Sequence, residues 1–209
     1  MKLWEGPNGE MPETGCCTAS DSEDARKVAA KLDIPYYVMD YTESFSEDVV
    51  DNFVGMYAKG LTPNPCVECN RSVKFDHFLT QAKKLNCEKV ATGHYAKIIK
   101  NDNNYELHKA DYLDKDQSYV LHMLTSEKLE YIEFPLGTIS KPEVRQIAAE
   151  LGLKTAFKKD SQDICFVGKK DYRNFVNTRV DISSSGEIVD NNGKKIGAHK
   201  GVHEFTVGQ

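Results

Sequence analysis

The segment from Thr62 to Phe75 reads T-P-N-P-C-V-E-C-N-R-S-V-K-F, and the rest of the sequence is arranged around its two cysteines. Pro63 and Pro65 favour an extended backbone, because proline and the residue before it disfavour the helical region. A helix is predicted next, with an apolar stripe at helical spacing formed by Phe75, Phe78, Leu79 and Ala82. Cys66 and Cys69 are therefore predicted to lie at the N-terminus of a helix.

The cysteine pair has more than one interpretation. At a helix N-terminus, beside Arg71 and Lys74, free N–H groups and cations stabilise a thiolate, which favours a reactive cysteine. The pair also fits half of a zinc site or simple packing. A structural zinc usually needs a second Cys or His pair at short spacing, and none follows. The best-placed partner is Cys165, in D-S-Q-D-I-C-F-V-G.

A family resemblance follows from motifs that occur in a fixed order. P-N-P-C-x-x-C-N-x-x-x-K-F precedes A-T-G-H-Y, D-K-D-Q-S-Y, F-P-L-G and D-S-Q-D-I-C-F-V-G. With these motifs the sequence resembles the tRNA-specific 2-thiouridylases over its whole length. The resemblance implies an α/β fold with a parallel doubly wound sheet, similar to adenine nucleotide alpha hydrolases, over residues 1–168. Residues 169–209 are then expected to begin a small β-rich domain.

The resemblance also implies an activity. Members of the family are transferases that adenylate a wobble uridine of tRNA with ATP and Mg²⁺ and then place sulfur at C2. Cys69 resembles their nucleophilic cysteine. Cys165 resembles the cysteine that carries a persulfide or pairs with Cys69 in a disulfide after sulfur release, chemistry that thiolates support. The implied partners are tRNA and a sulfur donor, either a cysteine desulfurase or a sulfur-relay protein.

Binding residues are implied position by position. Met1 and Gly93 match nucleotide-contacting positions. The positions that match tRNA contacts are Asn64, Pro65, Cys66, His94, Lys115, Asp116 and Gln117. Read without the family, His94 fits a hydrogen-bonded scaffold residue, and residues 115–117 fit a surface turn or helix cap. Cys87 is predicted to be a small apolar filler.

Two departures from the family pattern leave alternatives open. Some members carry Asp at the position of Cys66, so Cys66, Cys69 and Cys165 together could hold three irons of a [4Fe–4S] cluster. The S-G-G-x-D-S phosphate loop and the C-terminal β-barrel are absent from the sequence. We therefore expect an internal fragment that alone neither binds ATP tightly nor thiolates tRNA. A non-catalytic tRNA-binding fragment and a metal-stabilised structural module are the other interpretations.

Secondary-structure signals support the α/β class. Ser20, Ser44 and Ser140, each with Glu three residues later, predict helix N-termini. Ile34–Met39 is predicted to be a buried parallel strand, and Lys89–Thr92 another that ends at Gly93 and His94. Ligands of parallel sheets bind beyond the carboxyl ends of strands, which agrees with the roles implied for these two residues. Hairpins are predicted over 96–109 and 186–199.

Composition excludes several classes of protein. The 209 residues are 40% hydrophobic, and the formal charge of −5 gives no global attraction to nucleic acid. No apolar run approaches membrane-spanning length, and the N-terminus lacks the apolar core of a signal peptide. Six cysteines without secretory signals favour a reducing compartment, so the cytoplasm is expected. The candidate basic clusters are Lys158–Lys159, Lys169–Lys170 with Arg173, and Lys194–Lys195.

Overall fold

The chain forms two compact units, each assembled from separate parts of the sequence. A computed structural model describes residues 1–6, 18–102, 104–158, 164–167, 172–180 and 185–208. The first unit comprises Met1–Thr18, Asp40–Pro65 and Gln162–Gln209, and the second comprises Ala19–Met39 and Cys66–Ser161. The predicted domain boundary between 168 and 169 stays a prediction, because residues 168–171 lie outside the described residues.

Helices account for most of the regular structure. They are α1 (Ala19–Lys31), α2 (Thr42–Phe45), α3 (Asn52–Ala58), α4 (Pro65–Glu68), α5 (Phe78–Lys84), α6 (Ser126–Leu129), α7 (Lys141–Glu150) and α8 (Tyr172–Asn177). π-Helical turns at Ser46–Asp51 and Cys69–His77 join α2 to α3 and α4 to α5. Short 3₁₀ turns occupy Leu113–Lys115, Ser118–Val120, Lys154–Phe157 and Val202–Glu204.

Strand pairing is parallel between distant segments and antiparallel within hairpins. β1 (Val90–Ala91) pairs in parallel with β4 (Ile132–Glu133). β2 (Ala96–Asn101) and β3 (Asn104–Lys109) form one antiparallel hairpin, and β5 (Gly186–Val189) and β6 (Lys195–His199) form another. Both hairpins and the strand that ends before Gly93 were predicted, and the α/β class is confirmed.

The second unit is built around two apolar clusters. The larger cluster lies under the β2–β3 hairpin, and its buried residues are Phe75, Ala96, Val120, Leu121, Leu124, Leu129, Ile132 and Phe134. The smaller cluster consists of Leu79, Ala82 and Val90, with Phe78 packed against it. The predicted stripe on the cysteine helix is therefore buried, but it serves two clusters rather than one.

A glycine sets the distance between the hairpin and the loop after β4. A Cβ atom added to Gly137, the last residue of F-P-L-G, would overlap the carbonyl oxygen of Ala96 at the start of β2. Asp111 just beyond β3 donates its N–H to the Gly137 carbonyl, at 2.9 Å. The motif therefore requires glycine because the hairpin backbone packs directly on it.

The first unit has an aromatic core. Phe166 packs against Phe53 and Phe175 with ring centroids 5.2 Å away in each case, and against Phe45 at 5.7 Å. Trp4 lies 6.1 Å from the same ring. Edge and tilted packing of this kind stabilises clusters beyond the area they bury. The core thus connects the start of the chain, the α2–α3 helix and the segment that carries Cys165.

One of the predicted N-caps is confirmed and two are wrong. The Ser140 hydroxyl accepts the Glu143 N–H at the start of α7, at 3.3 Å. α1 begins at Ala19, before Ser20. α2 begins at Thr42, where Asp40 accepts both the backbone N–H and the hydroxyl of Thr42 at 2.9 and 2.7 Å. Asp40 accepts the first N–H of a helix that begins at Thr42, two residues before Ser44. Ser44 therefore falls inside the helix.

The predicted strand at Ile34–Met39 is also wrong. These residues have no regular secondary structure, and Tyr37 is 75% exposed. The nearest strand-like contact is a single parallel bridge between Asp40 and Lys2. An apolar run specifies a buried strand only where neighbouring strands cover it, which local sequence does not encode.

Within the described part of the chain, every helix is too short or too polar to cross a bilayer.

Candidate functional site

The two cysteines of the C-x-x-C pair lie in different surroundings. Pro65 is the first residue of α4, a position that suits proline because the first helical N–H groups have no partner within the helix. Cys66 follows in the first turn and is exposed, whereas Cys69 begins the π-helical turn and is 8% exposed. Cys66 therefore lies in the first turn of the helix, as predicted. Cys69 lies about one turn further along the helix than predicted.

Arg71 is engaged by a carboxylate of the same helix. Its Nε donates to Oε2 of Glu68 at 3.1 Å, and its second nitrogen donates to Oε1. Glu68 thereby balances a cation that the sequence assigned to thiolate stabilisation. Lys74 is the other cation of the motif, and its charge acts on His94.

The π-helical turn changes direction at Phe75, whose φ of −112° and ψ of 18° are not helical. π-Helical turns are rare, and kinks at them are well attested. Residues before the kink face the larger cluster, where Phe75 is fully buried, and residues after it face the smaller one. Because of the kink, the part of the helix that contains Cys69 packs on the larger cluster and α5 packs on the smaller one.

Asn70, next to Cys69, crosses to another segment of the same unit. It is 1% exposed, and its Nδ2 donates to the carbonyl of Val120 at 2.9 Å. Its Oδ1 has no hydrogen-bond partner among the described residues. An unsatisfied buried acceptor costs about 1–3 kcal/mol, so stability alone does not explain the residue. The sequence signal was a polar residue three positions after Val67 and three before Val73.

The turn that contains residues 115–117 is tied to A-T-G-H-Y by a two-way hydrogen bond. The Gln117 N–H donates to the Tyr95 carbonyl at 2.8 Å, and its side-chain Oε1 accepts the Tyr95 N–H at 3.0 Å. Asp116 accepts from the Ala110 N–H and the Ser118 hydroxyl, at 2.8 and 2.7 Å. Both side chains thus organise the turn, as the capping interpretation predicted, and Lys115 is the half-buried cation beside them.

His94 is a partly buried, neutral histidine. Its ring lies 6.0 Å from Phe75 and 5.9 Å from Phe134, and its Nδ1 is 2.8 Å from the Thr92 hydroxyl. Burial, together with the positive charge of Lys74, lowers the pKa of His94 from 6.5 to about 3. At neutral pH it is therefore a hydrogen-bonding group without charge.

The two positions assigned to nucleotide contact are open. A Cβ atom at Gly93 would make an ordinary contact with Leu136 at 3.8 Å, so the surrounding protein does not demand glycine there. Glycine at the end of β1 instead leaves the backbone accessible to a ligand. Met1, in the other unit, is 41% exposed.

Cys165 is held through the residue after it. It lies in a turn that is closed by the Val167 N–H donating to the Ile164 carbonyl, at 3.1 Å. Phe166 fills the aromatic core, while Cys165 itself stays at intermediate exposure. The structure has no disulfide at Cys66, Cys69, Cys87 or Cys165, so the disulfide implied by the family is not formed here.

Cys87 and the basic clusters are corrected or reassigned. Cys87 is exposed, so it is not a core filler. The helix ends before it, and its N–H donates to the Ala82 carbonyl.

Several cations of the predicted basic clusters are bound to neighbouring groups of the protein. Lys158 binds Asp21 and Asp24 at 2.6 and 2.8 Å. Arg173 donates to the Glu204 carbonyl, and Lys195 binds Glu187. Lys159, Lys169 and Lys170 lie outside the described residues, as do Cys16 and Cys17.

The described part of the chain contains no preformed metal site. No group of three or more His, Cys, Asp or Glu side chains is arranged there to hold a metal ion.

Comparison with known proteins agrees with the motif order. A tRNA-specific 2-thiouridylase MnmA from Rickettsia bellii (strain OSU 85-389) is 46% identical over the whole of this chain. The MnmA proteins of Rickettsia peacockii (strain Rustic) and Rickettsia akari (strain Hartford) are 48% identical over the same extent. The chain spans 57–58% of the length of these relatives.

The match to a family extends over most of the chain. The sequence profile of the tRNA methyl transferase HUP domain matches residues 1–169, which include the cysteine pair, the Gly93–His94 strand end and Cys165. The chain therefore belongs to the tRNA methyl transferase HUP domain family.

Proposed function

We propose that this chain is the part of a tRNA-uridine 2-sulfurtransferase that replaces O2 of a uridine with sulfur. The observation that carries the proposal is the meeting of three motifs within one unit. Asn70 links the helix of Cys69 to Val120, and Gln117 links the adjoining turn to Tyr95, next to His94. The names of the curated relatives and the family match support the same reaction.

The proposed reaction begins with activation of the uridine. ATP with Mg²⁺ supplies the adenylyl group that turns O2 into a leaving group. Gly93 and Met1 are the positions we assign to nucleotide contact, and the open backbone at Gly93 supports that role. Asn64, Pro65 and Cys66, where the chain enters α4, are the positions that we assign to the target base. His94 and residues 115–117 are assigned to the surrounding tRNA.

Sulfur transfer then follows at the cysteines. A cysteine desulfurase or sulfur-relay protein places sulfur on Cys165 as a persulfide. The terminal sulfur attacks C2, and AMP departs with the former O2. The Cys69 thiolate attacks Sγ of Cys165, which releases the thiocarbonyl and leaves a Cys69–Cys165 disulfide. A cellular dithiol reduces that disulfide by two electrons, which fits a cytoplasmic enzyme.

A persulfide-transfer experiment tests the proposal without requiring ATP. The chain is incubated with a cysteine desulfurase and cysteine, and the mass of each cysteine peptide is measured. We expect one added sulfur atom on the Cys165 peptide and none after Cys165→Ser. Cys87→Ser is the control, since Cys87 is an exposed thiol outside the motifs. Sulfur distributed equally over Cys87 and Cys165 would contradict the proposal.

The same preparation separates the alternatives. A cluster-dependent enzyme, purified without oxygen, would contain iron and acid-labile sulfide and would lose both after Cys66→Ala. A non-catalytic tRNA-binding fragment would bind tRNA but accept no sulfur at Cys165. The persulfide route requires sulfur on Cys165 in protein that is free of iron.

A further inference from the structure

Resting on the proposed function, we propose that Asn70 is a positioning residue that fixes Cys69 relative to the His94 strand end and the Lys115 turn. The residue is adjacent to Cys69 in the chain, and its side chain reaches a segment 50 positions away. None of the motif roles described above requires an asparagine at this position.

The connection runs through one continuous set of bonds. Nδ2 of Asn70 donates to the Val120 carbonyl at 2.9 Å, at the end of the 3₁₀ turn that begins at Ser118. Gln117, directly before that turn, exchanges hydrogen bonds with Tyr95 at 2.8 and 3.0 Å. Tyr95 follows His94. A shift of Asn70 therefore changes the place of Cys69 relative to both segments.

The geometry of the helix makes such a connection necessary. Cys69 begins a π-helical turn that is kinked at Phe75, so regular α-helical hydrogen bonding does not fix this part of the helix. An apolar side chain at position 70 would fill the space, but it would not select one rotation of the helix. Directional bonds select orientation where apolar packing does not.

The unsatisfied oxygen is a second observation in favour of this role. Oδ1 of Asn70 is buried without a partner among the described residues. A leucine would remove that defect but would leave the Val120 carbonyl without its donor, so the place contains an unsatisfied buried acceptor with either residue. Residues that break the rules of stability in this way concentrate at functional sites.

Alkylation of Cys69 tests the proposal independently of sulfur transfer. In a Cys66→Ser background, the tryptic peptide from Gly60 to Arg71 contains a single thiol, so its modification by iodoacetamide reports Cys69 alone. Asn70→Leu leaves the buried Val120 carbonyl without its donor, so we expect it to unfold at a somewhat lower temperature than the parent. Its Cys69 should react roughly fivefold to tenfold faster, the factor expected for loss of one buried hydrogen bond.

Ser72→Ala is the matched control. Ser72 is also buried on this helix, but its hydroxyl donates to the Glu68 carbonyl of the preceding turn, at 3.1 Å. Its loss should leave the Cys69 rate unchanged. If Asn70→Leu does not fold, Asn70→Ala removes the same hydrogen bond without adding a larger side chain.

The outcomes are distinct. Equal Cys69 rates in the Asn70 variants and the parent would overturn the proposal, as would an equal acceleration in Ser72→Ala. Parallel acceleration at Cys165 would indicate general loosening and would also overturn it. In tRNA thiolation, measured with the chain extended to the length of its relatives, a positioning role lowers kcat and leaves the KM for tRNA unchanged. Failure of sulfur to reach Cys165 refutes the proposed function and leaves the alkylation result standing.

Discussion

At the scale of single residues, His94 illustrates how surroundings decide chemistry. Its sequence context is compatible with a scaffold role and with a tRNA contact, and its position at a strand end does not separate them. The structure gives it a hydrogen bond to Thr92, two aromatic neighbours and the charge of Lys74. A neutral imidazole can serve both roles, because it has two ring nitrogens and the hydrogen bond with Thr92 uses only Nδ1.

The lowered pKa of His94 predicts a pH dependence of stability. Between pH 6.5 and about 3 the unfolded chain binds a proton at this residue that the folded chain does not. The free energy of unfolding therefore falls with decreasing pH by about 1.4 kcal/mol per unit from this group. His94→Gln should remove that contribution, as measured by urea denaturation at several pH values. An unchanged slope in His94→Gln would refute the prediction.

At the scale of elements, Phe166 is predicted to hold the Cys165 turn. Phe166→Ala removes a ring that contacts Phe45, Phe53 and Phe175. The expected loss is about 3–5 kcal/mol in the free energy of unfolding, with faster alkylation of Cys165. Trp4 fluorescence during urea denaturation measures the first quantity. Phe157→Ala is the control, because Phe157 is 81% exposed and its loss should change stability by less than about 0.5 kcal/mol.

Gly137 gives a second prediction at this scale. Gly137→Ala places a methyl group against the Ala96 backbone, so either the hairpin or the F-P-L-G loop must move. We expect a lower melting temperature and faster amide exchange at Asp111, whose N–H binds the Gly137 carbonyl. Gly55→Ala, where nothing lies within 4 Å, should instead stabilise α3 by up to about 1 kcal/mol. Equal melting temperatures for Gly137→Ala and the parent would contradict this account.

Local signals predicted elements well where the neighbouring sequence supplies the partner. The two hairpins, the Ser140 cap and the apolar stripe of the cysteine helix were all predicted correctly. The strand at Ile34–Met39 was not, because burial of an apolar run depends on partners that are distant in sequence. The Asn70–Val120 bond and the kink at Phe75 were missed for the same reason.

At the scale of the whole molecule, the division into two units predicts local control of stability. Phe166 lies in the first unit and Ile132 in the second. Ile132→Ala should increase amide exchange mainly in the second unit, at Val90 and Thr92, whose N–H groups bond across to the β4 segment. Phe166→Ala should act mainly on the first unit, reported by Trp4. Equal effects of each substitution on both units would show that the division does not separate their stabilities.

The candidate site residues follow from motif order more than from physical pattern, and their roles stay predictions. The sequence predicted both Cys66 and Cys69 at the helix N-terminus, whereas Cys69 begins the π-helical turn that follows α4. It also treated Cys87 as buried, whereas that residue is exposed. Exposure of a cysteine depends on where a helix ends and on what packs over it, and neither is encoded by the residues immediately beside it.

The π-helical turn from Cys69 to His77 also decides where the helix tolerates a change in the number of its residues. Such a turn contains one residue more than an α-helical turn, so deletion of one residue there would let the segment rewind as α-helix. Phe78 and Leu79 would then keep nearly the same orientation relative to Cys69. Deletion of one residue from α5, which has no surplus residue, would instead rotate everything after it by about 100°. The segment from Cys69 to His77 can therefore lose a residue at less cost than the regular helix that follows it.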